Sequence, residues 1–358
     1  MKSNELSLLT RNESASFKGI LMFLIVLGHN MFFSYSTERF QGMGLLYSFH
    51  IQSFFLLPFL YPLKSLTKER FLSLLCRYYV PFFEMLILLT LFKIFYTGKI
   101  SGTFFEWLSC AVFSGPYLQN FTGNQFLWFL PAMFLSMCLK EFFAGCKKTG
   151  KTVLCLIASV MSVIYLFGIP DHPAGIIQKI WDNAAYLKYA LIYLVSGLLL
   201  RQLIQELFTG QKVKRYIIGF LYLLFFIGIL CYFLNYFHIV LPRYHYHAES
   251  IIENILRLIM PLLFLSILYI HRRKIGTLPT LQKIGNASMV LYLFHPFIGY
   301  SCWWFYQRWN LPGATFWYII PVQVLMLYIP WTIYRSLDHL PRIKKILLPR
   351  TLSDLKWR

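Results

Sequence analysis

The chain has 358 residues, of which 58% are hydrophobic, 19% aromatic and only 13% charged. That is about half the charge of a soluble domain, with more apolar surface than a soluble core of this length uses. A net charge of +20 raises nucleic acid as a partner, but the positions of the basic residues argue for a membrane instead. Seven cysteines, mostly inside apolar runs and without a CxxC pair, argue against a disulfide framework and offer no metal site.

The expected class is all-α: a polytopic membrane protein of about ten transmembrane helices. The first apolar run begins near Phe17, lacks a small-residue cleavage site and is long enough to span, so no cleavable signal peptide is expected. Spanning runs are predicted near 17–34, 44–62, 78–96, 126–143, 153–169, 186–200, 216–237, 254–271, 286–306 and 315–335. The segment 103–114 is too short to span and is expected at an interface. Most of the 34 Lys and Arg residues sort with the N-terminal segment, the even-numbered connections and the C-terminal tail. Cytoplasmic loops carry such an excess, so both termini are expected in the cytoplasm. The charge then serves topology and attracts anionic lipid headgroups, and no nucleic acid partner is expected. One membrane domain over 1–340 precedes a short basic tail at 341–358, with no internal repeat.

In the first span, KGILMFLIVLGHN, ten residues separate Lys18 from His29. An ionisable group in hydrocarbon is costly and marks a functional candidate; the plainer alternative is a histidine bonded to a neighbouring helix. At about 1.5 Å per residue, His29 lies about 18 Å up from the cytoplasmic face and His50, in YSFHIQSFF, about 9 Å down from the outer one. The two depths nearly coincide, so both rings fit one cavity in the outer half of the membrane. His295 of LYLFHPF falls near mid-bilayer, where Pro296 frees a backbone carbonyl. Three histidines at compatible depths suit proton transfer near neutral pH.

The run KSLTKERFLSLLCRYYVP puts Lys64, Lys68, Arg70 and Arg77 on the cytoplasmic side. They form either positive-inside anchoring or a site for a phosphate-bearing donor. Glu84 is expected as a counter-ion of Lys18 or Arg77. Asn124, Gln125 and Trp128 at the outer end of the fourth span suit either the aromatic belt or a sugar, with amides on hydroxyls and the indole on the ring. Tyr244, His245, His247, Glu249 and Glu253 allow the same two readings; a metal there lacks further ligand spacing.

KGILMFLIVLGHN, SFHIQSFFLLPFLYP, LWFLPAMF and IGNASMVLYLFHPF resemble the successive blocks of the acyltransferase-3 family of membrane O-acyltransferases, with fucose and polysaccharide O-acetyltransferases the nearest branch. The blocks run in order from the first span to the ninth. The resemblance implies transfer of an acetyl or similar group from acyl-CoA to a sugar hydroxyl, often at the outer face of a bacterial inner membrane. Lys18 and His29 match the family's basic residue, ten residues, then histidine; Phe49 and His50 match its FH block. The family's Arg-x-x-Arg pair is altered: Leu74 stands three before Arg77, and Arg70 seven before it. The hydrolase-like domain appended in some members is not in this chain.

The expected activity is therefore acetyl-CoA-dependent O-acetylation of a cell-surface polysaccharide or its lipid-linked precursor. His29 and His50 are the expected catalytic pair. Lys18, Arg70 and Arg77 are expected to hold the acyl-CoA, and Asn30, Gln125, Trp128 and His295 the acceptor, with membrane lipids as surroundings and no metal. The rival reading is a proton-coupled transporter or flippase of a glycan-related substrate. No internal repeat and no Gly-broken helix pair supports it. A third reading is a catalytically dead relative. Oligomeric state, acceptor sugar and acyl group are left open.

Overall fold

Local caps decide where the first helices start and stop. Thr10 and Glu13 form a reciprocal capping box, Thr10 N–H to Glu13 Oε2 at 2.7 Å and Glu13 N–H to Thr10 Oγ1 at 3.3 Å, which starts α1 at Arg11–Gly28 by satisfying two orphan donors. Gly28 ends it and His29 is its C-cap. Asn30 then opens α2, Met31–Ser36, by accepting from the Phe32 and Phe33 N–H groups. The expected first span at 17–34 is thus interrupted at the Gly-His-Asn step.

The structure, a computed structural model, describes residues 7–37, 42–99, 102–113, 118–122, 126–167, 185–208, 215–236, 246–311 and 314–355. Among them there is no strand, in agreement with an all-α class. Six helices are long and apolar enough to cross a bilayer: Lys68–Phe95, Phe126–Gly145, Lys148–Leu166, Tyr216–Leu234, Ile251–Ile270 and Thr315–Asp338. The other four expected spans fall on helices that are broken, shorter or more polar. The second, expected at 44–62, divides into α3 (Gly42–Tyr47), α4 (His50–Leu56) and a 3₁₀ turn over Leu57–Leu60. Outward-facing side chains such as Phe95, Phe226 and Ile320 are mostly exposed, as a lipid-facing surface requires.

The chain gathers into two compact units. The second comprises 63–165, 169–195 and 337–358. Its longest element is α5, Lys68–Thr97, capped by Thr67 and closed by Gly98 in the left-handed region at φ 66°, where glycine carries no steric cost. There follow α6 (Phe104–Phe113), α7 (Leu118–Thr122), α8 (Phe129–Gly145) and α9 (Lys148–Phe167). Phe104 and Phe105 on α6 are exposed. Leu74 of α5 packs on Phe134 and Met137 of α8.

The first unit comprises 1–62, 166–168 and 196–336. Besides α1–α4 it contains much of α10 (Ala185–Phe208) and α11 (Arg215–Tyr236), α12 (Tyr246–Ile270), α13 (Arg272–Ile275), α14 (Pro279–Asn286), α15 (Ser288–Arg308) and most of α16 (Ile319–Asp338). Two glycines bring α1 and α14 into backbone contact. A Cβ on Gly19 would meet Leu281 O at 2.1 Å, and one on Gly285 would meet Ala15 O at 1.7 Å. Small residues permit such approach between apolar helices. Phe49, at the α3–α4 break, is buried among Tyr232, Leu256 and Met260 of α11 and α12, and its ring lies 4.9 Å from that of Phe264. The buried Arg201 of α10 donates to Phe59 O and Tyr61 O, both at 2.9 Å, satisfying carbonyls where the 3₁₀ turn ends. It is a buried clamp rather than a loop cation.

Candidate active site

The three histidines singled out in the sequence meet inside the first unit. His29 and His295 rings stand edge to face with centroids 5.0 Å apart. Tyr47 lies between His29 and His50, 6.2 Å from the former and 5.0 Å from the latter. Two helix breaks place the first pair: His29 at the end of α1, His50 at the start of α4. His295 comes from inside α15, beside Pro296. Gly28 lies against the His50 ring, where a Cβ would stand 3.4 Å from His50 Nε2, an ordinary contact. Gly299, one turn beyond His295, packs closely on Met326, whose Cε a Cβ would meet at 2.9 Å.

All three imidazoles are anchored alike. Nδ1 donates to the carbonyl four residues back: His29 to Ile25 O at 2.9 Å, His295 to Leu291 O at 2.8 Å, and His50 to Leu46 O. A proton held on Nδ1 leaves Nε2 as the bare, basic nitrogen. The Tyr47 hydroxyl stands 3.4 Å from His29 Nε2, positioned to donate to it. The Nε2 atoms of His50 and His295, both in fully buried residues, have no hydrogen-bond partner among the described residues. The site therefore brings together acceptor nitrogens and one phenolic donor, with His50 and His295 fully buried and His29 and Tyr47 half-buried.

Asn30 is also fully buried. While its oxygen caps α2, its amide donates to Ile319 O at 3.0 Å and lies 3.5 Å from Gln323 Oε1. Gln323 in turn donates to Phe23 O at 3.2 Å. Asn30 thus ties the α1–α2 break to α16, and its donors and acceptor are used within the protein. Around α2 and the far end of α15 an aromatic set gathers. Tyr35 stacks on Trp303 at 4.5 Å, Trp303 on Tyr306 at 5.6 Å, and Phe32 packs against Trp303, Tyr306 and Tyr318.

The remaining expected site residues are dispersed. Lys18 is on α1, about 16 Å along the axis from His29. In the second unit, Arg70 forms a forked pair with Glu141 of α8: Nε to Oε1 at 2.9 Å and to Oε2 at 3.0 Å, Nη2 to Oε1 at 2.9 Å. Arg77 is two turns further along α5, about 10 Å from Arg70. Glu84 makes no ion pair with Lys18 or Arg77 among the described residues. The Trp128 ring leans on Tyr189, with centroids 5.7 Å apart. Asn124, Gln125, Tyr244 and His245 lie outside the described residues, as do the side chains of His247 and Glu249. Glu253 pairs with Arg257 one turn on, at 3.3 Å. No cluster of three metal-ligating side chains occurs among the described residues.

Tyr47 and Gln323 were not anticipated from the sequence. Gln323 carried a usable signal, as a lone amide in the apolar run IIPVQVLMLYIP. Tyr47 had none in a chain with 24 tyrosines.

A chain all-α among its described residues, with several bilayer-length apolar helices and histidines gathered inside one unit, has the make-up of a multi-pass membrane protein. A family profile described as an acyltransferase domain matches residues 16–335, so the chain belongs to the acyltransferase-3 family. No curated protein and no solved structure matches it.

Proposed function

We propose that the protein transfers an acetyl group from acetyl-CoA to a sugar hydroxyl of a cell-surface polysaccharide or its lipid-linked precursor, in a bacterial inner membrane. The observation that carries this reading is the basic Nε2 of His29, fixed by Nδ1 on Ile25 O and facing a buried polar cluster. A sugar hydroxyl attacks a thioester only when a base removes its proton. His29 Nε2 takes that proton as the oxygen bonds to the carbonyl carbon. The Tyr47 hydroxyl is the donor available to the oxyanion that develops. Collapse breaks the C–S bond, and the proton passes from His29 to the CoA thiolate. Burial keeps water from hydrolysing the thioester. The stacked rings of Tyr35, Trp303 and Tyr306 offer apolar faces on which a sugar rests, and Lys18, on the same helix as His29, supplies a cationic group for the CoA phosphates.

The test compares glycan mass in cells making the wild type or His29→Ala. The expected result is loss of the acetyl increment, with the variant still present in the membrane at wild-type amount. Full acetylation by His29→Ala would remove the assignment.

One observation favours a second reading. Contrary to the sequence expectation, two consecutive helices are broken beside the buried histidines, an arrangement found in transporters. A transporter moves substrate across vesicles without acyl-CoA, which a flux assay reads directly; the family match favours the acyltransferase.

A further inference from the structure

The site has an imbalance of hydrogen-bonding types. His50 Nε2 and His295 Nε2 are buried, bare and unpartnered among the described residues, and their Nδ1 atoms are committed to backbone carbonyls. An orphaned buried acceptor is costly, and only a ligand that donates relieves it. A thioester carbonyl or a phosphate only accepts and leaves these nitrogens as they are. A hydroxyl donates. The unpartnered nitrogens thus suit a hydroxyl better than the thioester or phosphate groups of the acyl donor.

Geometry narrows the class. His295 is the imidazole that faces His29 directly, with centroids 5.0 Å apart and planes at 73°; His50 is separated from His29 by the Tyr47 ring. Hydroxyls on adjacent sugar carbons stand about 3 Å apart, a spacing suited to two acceptor nitrogens on neighbouring rings, each at a hydrogen bond of about 2.8 Å. Resting on the acetyltransferase reading above, we infer that the acceptor carries two adjacent free hydroxyls. One gives its proton to His29 and is acylated, while its neighbour donates a hydrogen bond to His295 Nε2. His295 is then the residue that selects which hydroxyl reacts: a monohydroxyl acceptor, or one whose neighbouring hydroxyl is already substituted, loses its second anchor.

The experiment uses the full chain reconstituted in lipid nanodiscs with acetyl-CoA and methyl glycosides of fucose, galactose, mannose and glucose. Each is paired with its monodeoxy analogues, and products are located by mass spectrometry and NMR. For the wild type, removing the hydroxyl next to the acylated one lowers kcat/KM about tenfold. In His295→Ala the parent sugar falls to the level of its deoxy analogue, the deoxy sugar reacts as with wild type, and the ratio collapses to about one. His295→Gln, which keeps an acceptor oxygen, restores part of the discrimination. Equal wild-type rates on parent and deoxy sugars overturn the inference while leaving acetyl transfer intact. Equal losses on both sugars in His295→Ala also overturn it and mark a packing residue. If His295→Ala fails to fold, the wild-type deoxy series and His295→Gln decide alone. Wild-type inactivity towards every glycoside, together with cell glycans whose acetyl increment is unchanged by His29→Ala, overturns the acetyltransferase reading, and the diol falls with it; inactivity on the glycosides with that increment lost overturns the diol as a sufficient acceptor.

Discussion

Arg70 holds a carboxylate that is almost wholly buried, Glu141 being 1% exposed. Removing one member of a buried pair strands the other. Arg70→Ala should therefore destabilise the protein by about 3 kcal/mol, measured as a lower melting temperature in detergent. Arg70→Met combined with Glu141→Leu should recover most of the loss. If Arg70→Ala instead melts like the wild type and only raises the KM for acetyl-CoA, the side chain serves the donor alone. The three histidines were legible in the sequence because each is a polar letter in an apolar run. Glu141 as the partner of Arg70 was not, since 71 positions separate them and only the packing of α5 on α8 joins them.

At the scale of elements, the two breaks that carry His29 and His50 depend on local chemistry. Asn30→Ala removes the cap of α2, worth about 1 kcal/mol, and the tie to α16 with it. Activity should fall well beyond what that stability loss explains, because the His29 backbone is no longer fixed. Asn30→Ser, which keeps a capping oxygen without burying a charge, should retain more stability than Asn30→Ala; thermal melts and transfer rates on the same preparations separate the two effects. Gly285→Ala should be worse than either. Its new Cβ would collide with Ala15 O, and overpacking of this kind costs about 1–3 kcal/mol, read as lower yield of monodisperse protein and an earlier melt. The α1–α2 interruption was missed by reading 17–34 as one span, although Gly-His-Asn carries its signal, a helix stop followed by a capping residue. The α3–α4 break was not, because Ser48 and Phe49 carry no Gly or Pro. It is imposed by tertiary packing that sinks Phe49 between α11 and α12, and by side chains that satisfy nearby carbonyls, Ser48 on Leu45 O and Gln52 on Tyr47 O.

For the whole molecule, hydropathy alone placed the long apolar helices but joined segments that the structure separates. The run 44–62 is apolar throughout, yet its continuity fails at Phe49 and again at Pro58, where a 3₁₀ turn takes over. The basic residues support a topology with both termini in the cytoplasm. A fluorescent protein fused after Arg358 should then glow in intact cells, whereas a phosphatase fused there should stay inactive; the opposite pair of outcomes reverses the orientation.

The glycine-lined seam between α1 and α14 has a bearing on turnover. Helices whose main chains touch cannot slip or roll against each other without lifting apart, so α1, with His29 at its end, is mounted on a fixed rail. On the acyl transfer we propose, donor loading and product escape then fall to segments lacking such a tie, around a stationary His29.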